Sequence, residues 1–296
     1  MKKYGAMDRL GQAAVRIFLL LVLIATFFPF WNIFVLSLND AGDTIKGGAM
    51  LWPRSFSLDS YKAVFANEAI PRAAKTSVAR TAIGVPLTVA AVSMLAYGLS
   101  KRSLPGRRFI SLYFIMTMYF SGGLIPSYMV IKSLRLIDTF QVFILPGLVN
   151  VFWMILVRTY MESLPAELEE SAKLDGANDL VIFARIIFPL CLPIIATVVL
   201  FSAISHWNSW YDSYIYTSKP SLTTLSAELV RILNQYQTGA MMSQAQQLAQ
   251  DSKRLPVSSE SIRMAVTMVT TVPIILAYPF LQKYFIKGMM VGAVKG

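Results

Sequence analysis

Glu167 to Pro189 reads ELEESAKLDGANDLVIFARIIFP, a polar, helix-prone insert between two long apolar runs. Ser163 stands where its hydroxyl can cap the first orphan amides, and Pro165 is tolerated in a first turn. Glu167, Glu169 and Glu170 sit where the helix dipole favours negative charge. The spacing predicts a short helix starting near Leu164. Gly176 supplies the left-handed conformation that ends such a helix, and Asn178 can cap a second one running through Phe183 into the next apolar run. Leu164, Leu168 and Ala172 fall four apart on one face, with Ser171 small enough beside them to let another surface approach. That face is expected to need a partner.

The chain around this insert has a membrane protein's composition: 296 residues, 55% hydrophobic, 15% charged, mean hydropathy +0.56. A net charge of +11 could suggest nucleic acid, but the basic residues cluster in short loops beside apolar runs, where orientation in a bilayer explains them better. Cys191 is the single cysteine and lies in an apolar run, which excludes a disulfide framework or a thiolate metal site within one chain. His206 is the single histidine, so a multi-histidine metal site is excluded too.

Lys2, Lys3, Arg9 and Arg16 precede an apolar run that could be mistaken for a secretory signal. Ile17 to Leu38, however, is 22 residues without a charge, too long for a signal core, and no small-residue cleavage site follows closely. Further charge-free windows run Thr81 to Ser100, Phe109 to Ile131, Thr139 to Val157, Ile186 to Tyr211 and Met264 to Gln282. The fold class expected is all-α integral membrane, one domain over 1–296 with six transmembrane helices near 17–38, 78–100, 109–131, 139–160, 186–209 and 263–284. The window Ile232 to Gln250 is left outside the membrane because it holds six glutamines. Outer loops are expected over 39–71 and 212–262, and the region 164–184 lies between spans four and five.

Six spans place both termini on one side, together with the loop Lys101 to Arg108. That loop carries Lys101, Arg102, Arg107 and Arg108, which assigns it to the cytoplasm by the positive-inside rule. The insert at 164–184 then faces the cytoplasm as well.

No GxxxxGK[ST] sequence occurs, so this chain is not expected to hydrolyse ATP. A carrier driven by protons or sodium commonly places an ionisable group within the bilayer, and the windows contain no Asp, Glu, Lys or Arg. Backbone carbonyls can bind sodium, so an ion-coupled carrier or a channel stays open as the alternative. A multispan enzyme on lipid-linked sugars would need a clustered acid, base or metal site, and none stands out. For a hydrated solute the path needs groups that exchange hydrogen bonds, and aromatic faces suit sugars. Tyr119, Tyr128, Asn150 and Trp153 are the substrate-path candidates, with Ser121 nearby. Asn150 must find a partner in another helix, water or substrate. Trp207, Trp210, Tyr211, Tyr214 and Tyr216 are read as an aromatic belt or as substrate contacts. Gly122, Gly123 and Pro126 interrupt span three, as a bend or for close packing.

Glu170-Ser171-Ala172, then Gly176, then Ile186 to Pro189, resembles the EAA loop of the membrane subunits of binding-protein-dependent ABC importers, with Ser171 in place of a second alanine and Phe188 in place of a leucine. FSGGLIPSYMVIKSLRLIDT (Phe120 to Thr139), PVSSESIRMA (Pro256 to Ala265) and QKYFIKGMMVGAVKG (Gln282 to Gly296) are similar to the carbohydrate branch of that family, the oligosaccharide and polysaccharide-fragment permeases related to the maltose importer. The resemblance implies that the insert is a coupling helix docking on a cytoplasmic ATPase through Leu168, Glu170, Ser171, Ala172, Asp175 and Gly176. It implies a second homologous permease, two ATP-binding subunits holding ATP and magnesium, a solute-binding protein and a carbohydrate substrate, at the bacterial cytoplasmic membrane. In relatives the last outer loop reaches the binding protein, which makes Tyr236, Gln237, Met241 and Met242 the contact candidates here. No metal or cofactor is expected in this chain.

Overall fold

The computed structural model describes residues 6–44, 47, 51–234 and 258–293, and its regular elements there are helical, apart from one isolated antiparallel bridge between Asn39 and Phe56. In chain order they are α1 (Ala6–Ser37), α2 (Ala41–Thr44), α3 (Asp59–Ala66), α4 (Ala69–Ser100), α5 (Arg107–Tyr119) and α6 (Leu124–Ser133). After a 3-10 turn at Phe140–Phe143 come α7 (Val151–Met161), α8 (Glu167–Leu174), α9 (Asp179–Ile182), α10 (Phe188–Leu190), α11 (Leu192–Asn208) and α12 (Tyr211–Tyr216). A helix over 225–234, α13, and α14 (Ser259–Ala293) complete the described elements.

Among the described residues, Gly11–Ser37 and Ala69–Ser100 are helices long and apolar enough to cross a membrane. The count rises to four if each of two bent pairs is one span. Each bend has a local cause. Between α5 and α6 the axis turns by 119° at Phe120 to Gly123, where Gly123 has φ +85° and Phe120 is extended. A left-handed φ is open to glycine at little steric cost. Between α10 and α11 it turns by 82° at Cys191, flanked by Pro189 and Pro193. Pro189 has no amide to give, and the preceding turn Phe183–Ile187 widens to π geometry, with Phe188 N–H reaching back to Phe183 O.

The fourth window is helical only from Val151, because Pro146 and Gly147 break the run before it. Eleven residues of α7 rise about 16 Å, half of a bilayer's hydrocarbon core.

By contact the chain divides into two compact units, Met1–Glu68 with Arg231–Val272, and Ala69–Val230 with Pro273–Gly296. In the first, every residue of α1 from Gly11 to Phe30 is exposed, so from Ile17 on an uncharged, apolar stretch has none of its faces buried in its own chain. Its C-terminal end is anchored. Trp31 stands edge-on to Trp52 and donates its indole N–H to Leu51 O at 3.0 Å, while Val35 and Leu36 are buried with Met264 packed against them. The fully buried Asn39 then ties the following segment, accepting from Ser55 N at 3.0 Å and donating to Asp43 and Thr44.

The second unit is organised on α4, which packs chiefly against α7 and α11. Val89, Val92, Ala96, Tyr97 and Leu99 of α4 form one buried cluster with Met154, Val157 and Met161 of α7 and with Ile195 and Val198 of α11. Ala172 of α8, Ile182 of α9, Ile187 and Cys191 complete it. The crossing with α11 is tight at Gly84, where an added Cβ would stand 2.6 Å from the His206 ring. Thr88 Oγ1 lies 3.4 Å from Nε2 of that imidazole. A smaller cluster joins Ile131, Val142, Phe143, Ile144 and Tyr216.

Candidate functional site

The insert at 164–184 folds as helix, turn, helix. Its first helix starts at Glu167, three residues later than Leu164, and Ser163 does not cap it. The amides of Ser163 and Leu164 are still spent winding down α7, bonding Tyr160 O and Met161 O, and the Ser163 hydroxyl donates to Tyr160 O at 2.7 Å. The cap position falls to Ala166, which offers no side-chain acceptor, so Glu167, Glu169 and Glu170 face the exposed first turn as dipole partners. The exit is a Schellman motif. Gly176, at φ +81°, donates to Lys173 O, and Ala177 donates to Ala172 O at 2.9 Å. Asn178 then caps α9, its side chain accepting from Val181 N at 2.9 Å.

The faces of α8 are sorted differently from the expected stripe. Ala172 is buried in the α4–α7 cluster and Leu164 packs against that cluster, whereas Leu168 is 38% exposed. That face has found its partner inside the chain. Glu167, Glu170, Ser171 and Leu174 point outward, Leu174 being 90% exposed, and Asp175 and Gly176 at the exit are exposed as well. Of the coupling candidates, Glu170, Ser171, Asp175 and Gly176 are therefore available to a second protein, Leu168 partly so, and Ala172 is an anchor.

Glu169, next to the outward Glu170, turns back to form an ion pair with Lys101, whose ammonium also sits 3.9 Å from the centroid of the Tyr97 ring. Beside it Arg107 pairs with Glu162, which Arg158 also meets at 3.1 Å, and Arg107 donates to Leu99 O at 2.7 Å. These groups border a cleft of about 610 Å³ that Glu170 and Lys173 also line.

At the other end of the uncharged stretch of α4 stands a further ion pair that the charge-free windows stopped just short of. Arg80, 3% exposed, donates to both oxygens of Asp212 and to Ser209 O at 3.1 Å, and lies over the Phe143 ring at 5.1 Å. Asp212 in turn accepts from Ser209 Oγ at 3.1 Å and from Ser213 N at 2.9 Å. Two further bonds run alongside, Thr76 Oγ1 to Ser221 O at 3.0 Å and Leu225 N to Ser77 Oγ at 2.8 Å. Arg80 and Lys101 bracket the uncharged part of α4 and are about 30 Å apart along it, the thickness of a hydrocarbon core. A lone arginine at the edge of one window and a lone aspartate at the edge of another were the sequence signal for this pair.

The path candidates do not converge. Tyr119 is 78% exposed at the α5–α6 break, and Tyr128 stacks on Tyr216 at 6.1 Å. Trp153 packs against the α4–α7 cluster. Asn150 is the N-cap of α7, accepting from Trp153 N at 3.1 Å, so its carbonyl finds a partner in its own helix. Trp210 meets Tyr211 and Tyr214 edge-on in a half-exposed aromatic group. Tyr236, Gln237, Met241 and Met242 lie outside the described residues. Among the described residues no group of three or more His, Cys, Asp or Glu could hold a metal ion.

The chain is similar to known proteins over nearly its whole length. It is 36% identical to the polygalacturonan/rhamnogalacturonan transport system permease protein YtcP of Bacillus subtilis, over 98% of this chain and 99% of that one. It is also 36% identical to the protein LplC of the same organism, over 92% and 90%. Among solved structures, a bacterial ABC transporter involved in the import of the acidic polysaccharide alginate superposes with a TM-score of 0.82 at 27% identity, covering 96% of this chain and all of that one. The family profile described as binding-protein-dependent transport system inner membrane component matches residues 88–291, which include α8, the Lys101 end of α4 and Asp212. This chain belongs to that family of membrane components.

Proposed function

We propose that the chain forms half of the translocation path of an ATP-driven importer, with six spans, both termini in the cytoplasm, and α8 as the helix that engages the ATPase. The observation that carries this reading is the form of α8: a helix closed by a Schellman turn, anchored inward by Ala172 and presenting Glu170 outward, in a chain of this family. The four basic residues between Lys101 and Arg108 support the cytoplasmic assignment of that end. The partners proposed are a second homologous permease, two ATP-binding subunits supplying ATP and magnesium, and a solute-binding protein that meets the segment 212–262.

The substrate inferred is a carbohydrate, an oligosaccharide rather than a single sugar. Uronic-acid oligomers are the first candidates, because two of the proteins named above are a polygalacturonan/rhamnogalacturonan transport permease and a transporter involved in alginate import. Closure of the ATPase pair on ATP moves α8 as a lever and turns the path outward, and hydrolysis resets it.

Coexpression with the sister permease and ATPase, followed by hydrolysis assays with the loaded binding protein, tests this. The panel is oligogalacturonides, alginate oligomers, arabino-oligosaccharides and maltodextrins. Stimulation by one loaded binding protein is expected, and Glu170→Lys is expected to release the ATPase on copurification while the chain still inserts in the membrane. If the unmodified chain retains no ATPase, the ion-coupled carrier or channel takes its place.

A further inference from the structure

We infer that the two neighbouring glutamates of α8 divide the work of coupling: Glu170 is the outward contact, whereas Glu169, through Lys101, fastens α8 to α4 and makes α4 the rod that carries its motion across the membrane. Glu169 and Lys101 are thus positioning residues, and the inference rests on the function proposed above.

The geometry gives the reason. By covalent connection α8 belongs to α7 and α9, and 68 residues separate Glu169 from Lys101. Within α8 the buried residue is Ala172, with Leu164 and Ala177 packed on the same cluster at the flanks, so apolar packing leaves the first turn of the helix unheld. Glu169 lies three residues earlier on the same side, and its ion pair supplies the point that holds that turn. The ammonium is itself held in place over the Tyr97 ring at 3.9 Å, so the pair is tied to α4 and not merely to the loop that follows it. From there α4 runs as one helix to Arg80 and beyond, and Asp212, Ser221 and Leu225 bind the Thr76–Arg80 stretch to the segment proposed to meet the binding protein.

At 19% and 26% exposure the pair is still reached by water, and the contribution of such a lysine–glutamate pair to stability is modest. A merely structural role would therefore leave transport and hydrolysis intact when it is removed. The test uses the assembled importer, with hydrolysis measured with and without the binding protein carrying whichever oligosaccharide of the panel stimulates the unmodified complex most. Lys101→Met and Glu169→Gln should each keep the ATPase on copurification yet lose at least about five-fold of the stimulation. Lys101→Arg and the exchanged pair Lys101→Glu with Glu169→Lys should recover it. Stimulation undiminished in Lys101→Met overturns the inference. So does loss that the exchanged pair fails to repair, or loss that accompanies detachment of the ATPase, since either would make the residues part of folding or docking. An unmodified complex without bound ATPase is a different failure, that of the proposed function itself.

Discussion

The two ends of the uncharged stretch of α4 are both fastened by a cation and a carboxylate, and they differ in how much water reaches them. At one end the Arg80 side chain is 4% exposed and Asp212 18%, and the guanidinium fork also meets a backbone carbonyl and an aromatic face. At the other, Lys101 is 19% and Glu169 26% exposed, and a flexible ammonium makes the link. A planar fork with fixed donors locks several elements at once, whereas a lysine is a point charge on a mobile stem. The buried end is a weld that cannot be opened without leaving a charge stranded. The wetter end is held by a link that water still reaches.

The largest effect follows from the weld. Removing one partner of a buried pair strands the other, at a cost of roughly 3–5 kcal/mol. Arg80→Met is expected to lower the melting temperature of the detergent-solubilised chain more than any other single change discussed here, and Arg80→Lys to recover only part of it. Arg80→Met combined with Asp212→Leu should recover much of the loss, because both charges are then gone. If Arg80→Met costs no more than Lys101→Met, burial does not distinguish the two ends.

An intermediate effect is expected at Gly84, on the buried side of the same helix. A methyl there would meet the His206 ring at 2.6 Å, and the ring cannot retreat freely because it is itself buried and held beside Thr88. Gly84→Ala should destabilise by about 1–3 kcal/mol, the usual range for overpacking. In combination with His206→Ala the two costs should fall well short of their sum, since the clash needs both groups. Strict additivity in thermal unfolding would mean that α4 and α11 move apart at no cost, and that the weld does not extend along the crossing.

What the sequence made legible was local. Gly176 and Asn178 do what their residue types dictate in the turn between α8 and α9, and Gly122 with Gly123 marks a real break. The long apolar helices α1 and α4 follow from composition alone. What escaped depended on where neighbouring groups were already committed. Ser163 could not cap α8 because its stretch was still closing α7, and Asn150 served its own helix. Of the stripe Leu164, Leu168 and Ala172, the first and last pack within the chain while Leu168 stays exposed, and periodicity does not say which of them finds a partner in the same chain. Arg80 sat one residue outside a charge-free window, and only the fold brings Asp212 to it from 132 positions away.

The smallest effect separates burial from position. Asp138 lies at the Arg80 end, in the segment joining Ile131 to the cluster of Phe143 and Tyr216, but is partly exposed. Its carboxylate accepts from Ser218 N at 2.5 Å and Lys219 N at 3.2 Å, and the Ser218 amide foremost holds its pKa below the usual carboxylate value. A folded pKa below the unfolded one means that the stabilisation is complete above the unfolded value, about 4, and fades as pH falls through the lower folded value. Asp138→Asn keeps an oxygen to accept both amides and loses only the charge. Its melting temperature should sit slightly below the unmodified chain at neutral pH and converge with it in acid, below about pH 4. Loss on the scale of Arg80→Met would show that position at that end of α4, and not exclusion of water, makes the difference between its two fastenings.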